Sequence, residues 1–249
     1  MVTQITVIKQ ASLCAQTVRH LTDTILSRRV LPGQFLPPEA ALCKQFEVSR
    51  STVREAITVL ETRGLVQRQH GVGILVTDHS QAAAVSSLNL LLQMRKTTLR
   101  DLVEARIGLE CLIAFLAAGH ATDAEVGALQ AAIAPMRHPG STEEQYVQAD
   151  LTFHLRLAEA SHNAVYVVLV DAVRELLLES IRATYHLDGH TERRLRDHTQ
   201  ILAAVRARDP HAAHAAMRDH LHSTEAMLRQ LGLLTGTAIT VPTLAGEMG

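Results

Sequence analysis

Along most of the chain apolar residues recur at helical spacing, and two short β-like runs near residue 70 interrupt the pattern. Val18, Leu21, Ile25 and Leu26 predict a first helix over residues 16–29, broken by Leu31-Pro32-Gly33. A second short helix fits Pro38–Phe46, with its proline in the first turn. Ser49 is placed to cap a third helix, in which Val53, Ala56, Ile57 and Leu60 stand at i, i+3, i+4 and i+7. Gly64 ends that helix. Leu65–Gln69 and Ile74–Thr77 are the β-like runs, on either side of His70-Gly71-Val72-Gly73. Three helices and a hairpin predict a winged helix-turn-helix over residues 1–78.

Residues 79–97 read as a linker that is low in charge, has no strand pattern and is partly helical. Helical spacing then runs to about residue 231. Thr98-x-x-Asp101, Thr122-x-x-Glu125 and Ser141-x-x-Glu144 have capping-box spacing and mark helix starts. Breaks fall at Gly119-His120, Pro139-Gly140, Ser161-His162-Asn163, Asp188-Gly189 and Asp209-Pro210. The expected fold class is mainly α: the winged head, then an all-α bundle of about six helices over residues 98–232. Residues 233–249 read as a disordered tail.

Composition narrows the function. Of 249 residues, 47% are hydrophobic, enough for a sizeable core and too many for a disordered chain. Aromatics make up 3% and Trp is missing, which argues against platforms that stack bases. The three cysteines are too few and too scattered for a disulfide framework or a Cys-based zinc site, and they fit a reducing cytoplasm. The net charge of -1 is unevenly divided. Residues 1–78 hold 9 Lys+Arg and 6 Asp+Glu, or +3, and the remainder hold 15 and 19, or -4. A basic head suggests an anionic partner. No apolar run reaches membrane-spanning length, and the N-terminus has no secretion-signal pattern.

The third helix carries the first chemistry. Arg50, Ser51, Arg54 and Thr58 lie on a flank outside its apolar stripe, and the two arginines are one turn apart. A guanidinium can pair with guanine or with phosphate. The helix N-terminus, with Ser51 and Thr52, adds backbone N–H groups that favour phosphate. The alternative is a solvated face with Arg54 paired to Glu47 or Glu61. A following wing with Arg68 and His70 favours DNA. The segment "LPPEAALCKQFEVSRSTVREAITVLETRGLVQRQHGVGILV", Leu36 to Val76, resembles the DNA-binding domain of GntR-superfamily bacterial transcription regulators. The resemblance implies that Arg50 and Arg54 contact bases or phosphates and that His70 and Gly71 reach the minor groove. Ala40 stands where the family usually has arginine, so one contact is missing.

The helical part holds polar residues on core-facing stripes. Val147, Asp150, His154 and Leu157 share one stripe; Leu195, His198, Leu202 and Val205 another; Met217, His220, Thr224 and Met227 a third. Buried polar groups need partners. Asp150 and His154 are i, i+4. His198 and His220 stand equally far before and after the turn at Asp209. In an antiparallel hairpin both then lie about 16 Å from the turn. Asp150, His154, His198 and His220 would make a three-histidine, one-carboxylate site for a divalent metal ion, with Zn expected and Ni, Mn or Fe also suited. The plainer reading is a core in which the histidines hydrogen-bond to one another and to Asp150. Most of the other histidines read as solvated.

"ADLTFHLRLAEASHN", "RDHTQILAAVRARD" and "AAMRDHL" resemble the FCD-type effector domain of the FadR-like GntR subgroup, so the likeness covers nearly the whole chain. It implies the same four metal positions and a small carboxylate effector. Arg106 lies on the stripe of Leu99, Leu102, Leu109 and Ile113 and faces inward, towards Glu110 or an effector carboxylate. Asn163 is a second effector-pocket candidate, or the cap of the next helix. The expectation is a cytoplasmic, homodimeric repressor that reads an inverted-repeat DNA operator and senses a carboxylic or hydroxy acid through the metal. It is not expected to be an enzyme, because no inward general base or nucleophile motif accompanies the ligands. The alternatives are a metal-dependent hydrolase or isomerase fused to a DNA-binding head, and a helical interaction module with a structural metal.

Overall fold

A computed structural model describes residues 12–77, 80–187 and 189–234. Ser12 starts the first helix: its hydroxyl accepts from the Ala15 amide, so α1 spans Leu13–Leu26, earlier than apolar spacing alone predicts. Pro38 is the N-cap of α2 (Glu39–Phe46) and lies just outside it. The Ser49 hydroxyl accepts from the Thr52 amide and caps α3 (Arg50–Thr62). The hairpin follows as β1 (Val66–Gln69) and β2 (Gly73–Val76), with Val66 opposite Val76 and Gln69 opposite Gly73. Gly71 turns the wing tip at φ +72°, a conformation that strains other residues. Val53, Ala56, Ile57 and Leu60 are fully buried against Leu21 and Leu42, as their spacing predicts.

The expected linker is largely helix: α4 spans Ser80–Met94, in a stretch of Ala, Leu and Gln with neither Gly nor Pro. Two compact units divide between Ser87 and Leu88, inside that helix. Residues 78 and 79 lie outside the described residues.

The second unit exceeds the expected six helices. Its elements are α5 (Leu99–His120), α6 (Asp123–Ala132), α7 (Ala134–Arg137), α8 (Glu143–Ala160), α9 (Ala164–Ala172), α10 (Arg174–Tyr185), α11 (His190–Arg206) and α12 (Pro210–Gln230). The additional breaks fall at Ile133, where Pro135 follows in the first turn of α7, and at Val173, where no Gly or Pro marks the chain. Capping boxes at Thr98–Asp101 and Thr122–Glu125 are formed as expected. The third is shifted by one residue: Thr142 and Gln145 cap α8, while the Ser141 hydroxyl donates to the Pro135 carbonyl at 2.6 Å. α8 is buried at Val147, Leu151, Phe153 and Leu157, in the middle of the bundle core. Of the segment expected to be a disordered tail from residue 233, Leu234 is instead buried with Leu99, Leu176 and Leu228. The rest of that segment lies outside the described residues. Among the described residues, no helix is long and apolar enough to cross a membrane.

Candidate metal centre and nucleic-acid interface

Three helices converge on one buried point. α8 supplies Asp150 and His154, α11 His198 and α12 His220, each no more than 2% exposed. One ring nitrogen from each histidine can be chosen so that all three lie within 4.8 Å of one another. Asp150 Oδ1 is 3.3 Å from His154 Nε2 and 3.2 Å from His198 Nε2. Two donors sharing one ion at about 2.1 Å stand roughly 3.0–3.4 Å apart for coordination angles between 90° and 109°, so these separations fit a common ion. The hairpin of α11 and α12 brings the His198 and His220 rings to 4.7 Å between centroids, as their equal distance from Asp209 requires.

The outer partners suit ligand duty. His198 Nδ1 faces the Arg194 carbonyl at 2.8 Å, which leaves Nε2 as a lone-pair donor. His154 Nδ1 stands 2.5 Å from Glu110 Oε2. His220 Nδ1 is 3.5 Å from Asp197, and neither of its ring nitrogens has a hydrogen-bond partner. Asp150 Oδ1 and His198 Nε2 are also buried without one. Unpartnered donors of this kind, clustered in the interior, are what an ion would satisfy.

Electrostatics separates the groups. Burial works to raise the Asp150 carboxyl, but Arg194 and His198 outweigh it and hold the group well below the usual carboxylate range. Burial likewise opposes ionisation of Glu110, yet Arg106 and His154 bring it down to about 2. Burial, then the neighbouring His198, pushes His220 well below the usual imidazole range, so its ring is neutral.

Arg106 faces inward, as expected. Its Nε donates to Glu110 at 2.6 Å, Nη2 is 3.4 Å from His154 Nε2, and Nη1 is buried without a partner. Glu110, the plainer of its two expected partners, is thus the one it meets, and Nη1 is left over. Asn163 takes the second of its two expected roles; its Oδ1 accepts from the Val165 amide and caps α9. The sequence reading missed Arg194, fully buried with Nη1 2.5 Å from Asp150 Oδ2. It also left His190 among the histidines without a role, and that ring is 1% exposed. The available signal was spacing: His190, Arg194 and His198 stand four residues apart, one turn after another on α11.

In the head, a groove is lined by Glu39, Arg50, Arg54, Arg68, His70 and Gly71. The structure thus brings Arg50, Arg54, Arg68, His70 and Gly71, five of the seven residues expected to meet DNA, to one groove. Arg54 pairs with neither Glu47 nor Glu61. Glu39 holds both arginines, Arg50 Nε at 3.2 Å and Arg54 Nε at 3.6 Å, and leaves their side chains 75% and 65% exposed. The hydroxyls of Ser51 and Thr52 each lie 2.8 Å from Ser49 Oγ at the helix start. Arg68 is tied inward: it donates to Glu61 at 2.6 Å, to the Arg54 carbonyl at 2.8 Å and to Thr58 at 2.9 Å, fastening the wing to α3.

Comparison with known proteins matches both units. Residues 13–76 match the family of bacterial regulatory proteins, gntR family, and residues 101–223 match the FCD domain. The chain is 35% identical over 202 residues to the HTH-type transcriptional regulator LutR of Bacillus subtilis, covering 79% of this chain and 92% of that protein. It is 30% identical over 230 residues to the Glc operon transcriptional activator of Escherichia coli, covering 89% and 91%. A Streptococcus agalactiae GntR structure superimposes with a TM-score of 0.68 at 26% identity, over 86% of this chain and 99% of that one. These relatives are transcription regulators, not enzymes.

Proposed function

The chain belongs to the GntR family of bacterial transcription regulators, with a winged DNA-binding head and an FCD domain, and on that footing we propose that it is a metabolite-responsive repressor whose FCD domain senses a small carboxylic or hydroxy acid through a bound divalent metal. The observation that carries this reading is the cluster of His154, His198 and His220 around Asp150, with unpartnered donor atoms turned together. Nitrogen and carboxylate donors suit zinc first, and nickel, manganese or iron next. When bound, the ion supplies a doubly positive point that holds a carboxylate or hydroxyl oxygen.

The protein's own side chains do the rest. Arg106 turns Nη1 into the interior while Glu110 holds its Nε, so an entering carboxylate finds a fixed N–H. Ligands on α8, α11 and α12 and the arginine on α5 place four helices under one effector's control. α5 follows directly on the segment that leads from the head, and an effector shifts DNA affinity only as far as it favours one arrangement of these helices. Two heads would read an inverted repeat of double-stranded DNA in the cytoplasm. Val165 and Val168, exposed on α9, offer an apolar face suited to a second copy of the chain.

The test is thermal stability of zinc-loaded protein against a panel of small acids, with Arg106→Ala and His198→Ala beside wild type, and operator gel shifts with the best acid. One acid should raise the melting temperature, lose that effect in both variants and release the operator. Bound zinc with no response to any acid would leave the ion a structural role and overturn the sensing mechanism.

A further inference from the structure

The sensing reading uses one end of the buried polar cluster and leaves the other unassigned. Arg194 turns Nη1 to Asp150 and Nη2 to the hydroxyls of Thr184 on α10 and Thr224 on α12, both at 3.3 Å. Its Nε is buried without a partner. One turn earlier on α11, His190 is 1% exposed and neither of its ring nitrogens has a partner. Ser180, one turn before Thr184 on α10, is fully buried with its hydroxyl unpartnered. Native interiors pair such groups, and a set left open at a binding centre is a set prepared for a polar guest.

Charge states what kind of guest. The fully buried ions of the centre are Arg106 and Arg194 against Glu110 and Asp150, two positive and two negative, so they cancel. A divalent ion raises this buried sum by two. Asp197 lies beside His220 but is 20% exposed, so water screens it. A buried excess of positive charge calls for a matching anion. A monocarboxylate would neutralise half of it, and a dicarboxylate all of it. The two guanidinium N–H groups left over, Arg106 Nη1 and Arg194 Nε, belong to different helices, α5 and α11. Burial, then Arg194, brings His190 down to about 3, so it stands as a neutral ring with one donor and one acceptor.

We propose that the effector is a short dicarboxylate: one carboxylate binds at the histidine cluster and Arg106, and the second is held by Arg194 and His190. This rests on the reading that an acid enters through the metal and Arg106, and it adds the chemistry of the acid's far end. It makes His190 a specificity-determining residue and gives Arg194 two tasks, orienting Asp150 and meeting the second carboxylate.

Calorimetric titration of the zinc-loaded full-length protein with matched acids tests it. Malate against 2-hydroxybutyrate, succinate against butyrate and 2-oxoglutarate against 2-oxopentanoate differ in the second carboxylate. At least one dicarboxylate should bind about tenfold or more tighter than its partner. His190→Leu should remove most of that advantage, leaving the monocarboxylate affinity, the zinc content and the operator binding of the effector-free protein as in wild type. Monocarboxylates that match or exceed their partners in every pair would overturn the dicarboxylate while leaving the sensing mechanism standing. An equal loss for both members of a pair in His190→Leu would overturn the role of His190. If no acid of either kind binds, the sensing mechanism itself fails.

Discussion

His198 Nδ1 lies 2.8 Å from the carbonyl oxygen of Arg194, one turn back on the same helix. A carbonyl only accepts, so the imidazole proton sits on Nδ1 and the Nε2 lone pair points to the cluster. The backbone of α11 thus fixes the tautomer that metal ligation needs, and the side chain of the same Arg194 holds Asp150 from the other side.

The first prediction follows from that arrangement. His198→Ala should lose stoichiometric zinc after dialysis, measured by elemental analysis. In wild type, zinc at a hundredfold excess over its dissociation constant adds about 2.7 kcal/mol of stability. For a chain of this size each kcal/mol moves the melting temperature by roughly 2–4 °C. The variant should show almost none of that rise, and retained zinc would place the ion elsewhere.

The head makes a separate prediction. Arg50→Ala and Arg54→Ala should each weaken operator binding by about 1–3 kcal/mol. Arg68→Ala should weaken it while keeping the salt dependence of wild type, because Glu61 already compensates that guanidinium. Anisotropy titrations over a series of salt concentrations distinguish the two. A shallower salt slope in Arg68→Ala would make it a phosphate contact after all.

His190 sets a pH dependence. Burial, then Arg194, brings its folded pKa down to about 3, from 6.5 for a free imidazole. Between these values the unfolded chain binds the extra proton, so folding weakens as pH falls below about 6.5. In His190→Leu held with chelator, denaturant titrations should show a gentler loss of stability from pH 6 to pH 4. The difference should be at most about 1.4 kcal/mol per pH unit. Identical slopes in the two proteins would mean the ring is charged in the fold.

The start of α5 gives a purely structural test. Thr98 and Asp101 cap each other, and hydrogen bonds from Thr98 hold the Asp101 carboxyl below its ordinary value. Thr98→Ala should cost about 1 kcal/mol at neutral pH. A lowered acid pKa stabilises above the unfolded value of 3.8, and its effect fades as pH falls through the lower folded one. Asp101→Asn should therefore differ from wild type at pH 6 and converge with it under stronger acid.

The head was legible because each of its boundaries has a local cause: Ser49 caps, the apolar stripe buries and Gly64 stops. The buried cluster of Asp150 and three histidines was legible because it needs two relations, Asp150 to His154 along one helix and His198 to His220 across one turn. The break at Val173 was not, since an apolar residue gives no signal where only packing interrupts a helix; the break at Ile133 had a signal in Pro135, two residues on, that the apolar spacing masked. Arg194 hid in a run of charged residues on α11, where several faces were equally polar in sequence. The grip of Glu39 on Arg50 crosses the turn between two helices, and no periodicity within either helix reports it.

That grip has a bearing on change over generations. One carboxylate on α2 presents both exposed arginines of α3, so altering residue 39 re-aims both of the arginines proposed to meet DNA in a single mutational step, with the buried residues of the head left as they are. A lineage could thus migrate to a new binding sequence through position 39 first and adjust the arginines afterwards.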